Sequence, residues 1–130
     1  IYQAVNRNFL NPFMLTFDTP QPASAVARRS RSNVPAQALI MLNSEFLHGQ
    51  ADFWAGKLLE QPEGMDRVGL AWRQAFGREP DAAERGSIDG WLAAIAAERQ
   101  SAPADLLRDR AILTELCHAL LNKKELLFLE

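Results

Sequence analysis

The sequence predicts an all-α domain of about five helices in a compact bundle, preceded by an irregular N-terminal arm and a long loop. Three observations carry this. From residue 47 onward, apolar residues recur at i, i+3, i+4 and i+7. No stretch alternates with period two over more than a few residues, so no sheet is expected. Start and stop residues stand where the helical spacing begins and ends, among them Pro35, Gly77, Asp81 and Pro103.

Residues 11–18 (NPFMLTFD) allow one short helical turn opening at Pro12. Residues 19–34 hold Pro20, Pro22, three arginines and three serines without an apolar period, which reads as a loop. Regular structure is expected from Pro35, where a missing N–H costs nothing. Ala36 and 38–42 are apolar nearly all round, which predicts a short, fully buried helix. Asn43-Ser44 breaks it, and Ser44 suits the cap of a second helix.

That second helix carries Leu47, Ala51, Trp54, Ala55 and Leu58 on one stripe. Phe46 and Phe53 lie off the stripe beside Gly49 and Gly56. This predicts a second buried side with close helix approach, or else a helix weakened by its glycines. A third helix runs from about Met65 to Phe76 on Val68, Ala71, Trp72 and Ala75, and Gly77 ends it. Asp81 and Glu84 form a capping box for the fourth, whose apolar face is Ile88, Trp91, Leu92, Ile95 and Ala96. A fifth runs from Pro103 through Leu106, Leu113, Leu116, Cys117, Leu120 and Leu121 to Asn122. Residues 123–130 read as a last turn or a short extended tail.

The expected division is an irregular arm with an Arg-rich loop over 1–34 and a helical domain over 35–130, together one domain. The expected core is Leu39, Leu42, Leu47, Trp54, Leu58, Val68, Trp72, Phe76, Ile88, Trp91, Leu92, Ile95, Leu113, Leu116, Cys117 and Leu120.

With 130 residues, 48% hydrophobic and 23% charged, the chain is neither a disordered segment nor a disulfide scaffold. A formal charge of −2 removes the electrostatic case for nucleic-acid binding. No run reaches the ~20 apolar residues of a membrane span. The single cysteine, Cys117, makes no internal disulfide and reads as a small buried hydrophobe. The chain opens on Ile1 and reads as a piece of a longer protein.

Catalytic chemistry finds little support. His48, Cys117 and His118 are the candidate metal ligands, but neighbours on a helix point about 100° apart, and neither HExxH nor CxxC occurs. A lone Leu-Cys-His cannot attach haem covalently, so no cofactor is expected within this chain. No GxSxG elbow marks a serine nucleophile. Asp105 and Asp109 fall four apart on what reads as one solvated helix face, beside Arg108 and Arg110. The turn over 77–81 has helix-turn-helix form, but its second helix offers Glu84, Asp89 and Glu98 against Arg85 and Arg99, which phosphate would repel.

The loop is more informative. Arg28, Arg29 and Arg31 offer planar donor forks suited to carboxylate, sulfate or phosphate. With Asp18, Asn33 and Gln37 they form a candidate anion or sugar-acid site. The structural alternative has the arginines pair with Asp18, Glu45 or helix-end carbonyls and pin the loop down.

Several spaced motifs together carry a resemblance. They are Phe17-Asp18-x-Pro20, Arg28-Arg29, Asn33-Val34-Pro35-x-Gln37-Ala38-Leu39, Leu42-Asn43, Ala75-Phe76-Gly77-Arg78-Glu79-Pro80, and residues 116–122 running on to Glu125-Leu126-Leu127-Phe128. In these the chain resembles the C-terminal domain of unknown function of large exported planctomycete proteins. Members often carry a cysteine shortly before the arginine pair, where this chain has Ala25-Val26. The resemblance implies an exported parent with upstream domains as partners, often including a cytochrome c domain with c-type haem, and a context of polysaccharide use. It implies no reaction. The reading is a non-catalytic structural or interaction module, with a carbohydrate- or anion-binding site on the loop as the alternative.

Overall fold

A computed structural model gives the fold of residues 10–19 and 34–127. Among these described residues there are eight helices and no strand, and five helices exceed one or two turns. The all-α prediction holds. The chain parts into two compact units, Ile1–Ser44 and Glu45–Glu130.

In the first unit, α1 (Pro12–Thr16) starts as its sequence dictates. The Asn11 side chain accepts from the Phe13 N–H at 2.9 Å, and Pro12 takes the first turn. α2 (Val34–Asn43) follows the loop. The expected full burial of α2 fails. Met41 is buried, but Leu39 is 62% and Leu42 54% exposed. A helix apolar on all sides needs neighbours on all sides, and here only the side bearing Met41 is covered.

The second unit is a bundle of α3 (Glu45–Leu59), α4 (Arg67–Phe76), α5 (Ala82–Arg99) and α7 (Arg110–Leu121), with the short α6 (Pro103–Leu106) and α8 (Lys124–Leu127). α3 and α7 form its central seam. His48 meets His118 and Asp52 meets Thr114 and Arg110, so the two helices run antiparallel. Ala51, Ala55, Leu58, Val68, Leu113, Leu116, Cys117 and Leu120 are buried in one cluster, and Trp54, Phe76, Trp91 and Ile95 pack against it half-buried.

The caps follow the sequence. Gly77 closes α4 at φ +70, a conformation that costs any residue with a Cβ. Asp81 and Glu84 make the reciprocal capping box, at 2.8 and 2.9 Å. Asn122 closes α7.

Two expectations are corrected. The second buried side of α3 is absent. Phe46 and Phe53 are 64% and 63% exposed, nothing stands within 4 Å of a Cβ at Gly49, and Gly56 faces the Arg110 guanidinium rather than a helix. The expected fifth helix is two helices. The chain leaves helical hydrogen bonding after Leu106, and Asp109 starts α7 anew by accepting from the Ala111 N–H at 2.8 Å. Asp105 and Asp109 therefore do not share a helix face. Asp109 pairs with Arg99 at 2.8 Å, and the Ala111 N–H and this arginine hold its carboxyl below the usual range.

Candidate functional site

Of the six residues expected to form a binding site, Asp18 and Gln37 are described. Arg28, Arg29, Arg31 and Asn33 lie outside the described residues. Asp18 follows α1 in the left-handed region at φ +55, with its N–H donated to the Leu15 carbonyl at 3.2 Å. Such a backbone is uncommon for a residue other than glycine, although aspartate tolerates it better than most. The Gln37 side-chain amide donates to the Thr16 carbonyl at 3.1 Å. This bond ties the first turn of α2 to the last residue of α1.

Leu39 and Leu42 stand three residues apart on α2, on neighbouring positions of one face, both more than half exposed. Asn43 donates from its amide to the Leu39 carbonyl at 2.9 Å and finishes the helix.

In the second unit the polar chemistry concentrates where α4, α5 and α8 meet, which sequence reasoning missed. Arg78, in the turn after α4, grips Glu84 with two bonds at 2.7 and 2.9 Å. The same guanidinium grips Glu125 of α8 with two more, at 2.8 and 2.6 Å. Lys123 bonds Glu84 as well, and its ammonium lies 4.8 Å from the Trp72 ring centroid and 5.3 Å from that of Phe76. Glu84 also accepts the Asp81 N–H at 2.9 Å. Arg78 first, then Lys123, holds the Glu84 carboxyl far below the usual carboxylate range, and Arg78 lowers Glu125 too. The two carboxylates raise Arg78 in turn. Arg78 and Glu125 belong to the motif segments around residues 75–80 and 125–128. The sequence signal was an arginine in a tight turn with two separate acids downstream, and nothing in helical spacing joins residues 47 apart.

His48 and His118 do come together. Their rings stack with centroids 3.9 Å apart and planes 22° from parallel. His118 is buried and its Nε2 has no hydrogen-bond partner. Face-to-face rings present their nitrogens side by side rather than toward one point, which is poor geometry for a shared metal. Among the described residues no three His, Cys, Asp or Glu side chains converge on a metal position. Cys117 is buried, and burial alone pushes its thiol up to about 12, which keeps it protonated and inert. No helix among the described residues is long and apolar enough to cross a membrane.

Arg67, which no sequence pattern singles out, is a buried charge. It is 7% exposed. Its Nε donates to the Leu58 carbonyl at 3.1 Å and Nη1 to the Leu107 carbonyl at 3.4 Å. One side chain thus serves the ends of α3 and α6 from the start of α4, a structural role.

No curated protein and no solved structure matches the chain. The family model of PSD1, a protein of unknown function (DUF1553), matches residues 1–92 of the 130, which takes in α1 to α4 and most of α5. On that match the chain belongs to the PSD1 (DUF1553) family of unknown function.

Proposed function

We propose that this chain is a non-catalytic interaction module of a larger exported protein, and that it docks through α2 onto the upstream domains of that protein. The observation that carries the reading is the exposure of Leu39 and Leu42 on one face of α2. Apolar side chains grouped on a helix face favour leaving water, at about 25 cal/mol per Å² covered. Membership of a family of unknown function agrees with a module of this kind. The planctomycete origin, the export and the cytochrome c companion are part of the same proposal and rest on the motif resemblance.

Calorimetric titration of this chain with the upstream domains supplied in trans tests it. The native chain is expected to bind. The Leu39→Lys, Leu42→Lys double variant is expected to bind at least about tenfold more weakly while melting at the native temperature, because exposed positions contribute little to stability. Equal binding by both chains, or none by the native one, would overturn the reading.

A second reading has its own observation. The Gln37–Thr16 bond holds together the chain on either side of residues 20–33, which carry Arg28, Arg29, Arg31 and Asn33. The donor forks of these arginines, with Asn33, Asp18 and Gln37, suit acidic sugars or other anions. A thermal shift with sulfated glycans that Arg28→Ala abolishes would support it, and no shift across such a panel would sink it.

A further inference from the structure

α8 is four residues long, and one helical turn does not hold itself together in water. Among the described residues an ionic network holds it. Glu125 is gripped twice by Arg78, Arg78 is anchored twice on Glu84, and Lys123 just before α8 bonds Glu84. Leu126 of α8 remains 40% exposed. Leu126 nonetheless walls a groove of about 270 Å³ whose other sides are Trp54, Gln74, Ala75 and Leu121. The Trp54 indole N–H is spent on the Gln74 side-chain amide oxygen, Oε1, at 2.5 Å. The groove is therefore apolar at its base and lies between α3, α4 and α7.

We propose that α8 is a releasable strap, fastened by the Arg78–Glu125 grip, whose opening removes the Leu126 wall and uncovers Trp54, Ala75 and Leu121. The network is unequal in a way that fixes where it parts. Glu84 is 17% exposed and carries three sets of bonds, including the cap of its own helix, so it stays with the α4–α5 hairpin. Glu125 is 40% exposed, and the grip on it comes mainly from the single guanidinium of Arg78. Salt screens an exposed grip of this kind, and segments with few buried apolar contacts open without global unfolding. The inference stands apart from docking through α2, because it concerns helices of the second unit alone.

Limited trypsin digestion of the native chain tests the strap, reading by mass spectrometry the rate of cleavage after Lys123 and Lys124. Arg78→Gln leaves the cleavage site itself unchanged. It is expected to raise that rate about tenfold, and high salt is expected to raise it in the native chain, because cleavage follows the open population. Dye binding to exposed apolar surface should rise with it, while the melting temperature of the bundle holds. An unchanged rate in Arg78→Gln and in high salt would overturn the proposal. So would a melting temperature that falls in step with faster cleavage, since α8 would then be part of the cooperative core.

Discussion

Replacing Arg67 with Met is expected to lower the stability of the helical unit by about 2–3 kcal/mol, the cost of leaving two helix-end carbonyls without their charged donor. Met keeps most of the buried stem, so the loss reports the hydrogen bonds rather than a cavity. The carbonyls of Leu58 and Leu107 lie at helix ends, that of Leu58 also accepting from the Gln61 N–H at 3.4 Å, and the bonds that Arg67 gives them tie three helix ends at one point. For a unit of this size the melting temperature should fall by roughly 10 °C or more. Thermal unfolding followed by circular dichroism at the helix band measures it. A fall of less than about 3 °C would mean that water replaces the guanidinium at both carbonyls at little cost.

Leu113→Ala is expected to cost about 3 kcal/mol or more, among the largest effects of any single substitution. Leu113 is fully buried on α7, the helix that forms the central seam with α3. Truncation removes its transfer free energy and leaves a cavity that packed helices close only in part. Against a total stability of about 5–15 kcal/mol this is a large share. Phe53→Ala is the matched control. Phe53 is larger than Leu113 but 63% exposed, and its removal should change stability by no more than about 0.5 kcal/mol. Urea unfolding of both variants separates them. Equal losses would mean that Phe53 is part of the core and that α3 has a second buried side after all.

Much of the fold was legible because helices announce themselves locally. Pro12, Gly77, Asp81 with Glu84, and Asn122 each act within four residues of the chain, and each does in the structure what its chemistry predicts. The stripe of Val68, Ala71 and Trp72 is likewise a local pattern and is buried as expected. The failures share a cause. Leu39 and Leu42 looked like core because hydrophobicity tells that a side chain favours burial, not which neighbour buries it. The break after Leu106 is hidden because Leu106 and Leu113 keep helical spacing across it, and an aspartate at position 109 suits a surface charge as well as a cap.

The polar network was invisible for a different reason. Arg78 and Glu125 are 47 positions apart, and only the folded hairpin brings them together. Of the expected binding residues, the structure gives a place to Asp18 and Gln37, and the Gln37–Thr16 bond could not be read from spacing because it joins two short helices across a loop.

Hydrogen–deuterium exchange of this chain alone and joined to the upstream domains tests the proposed interface on α2 most directly. Amides of α2 are expected to slow by at least about tenfold in the joined protein, while those on the exposed side of α5 keep their rates. The same exchange in α2 in both forms would contradict it.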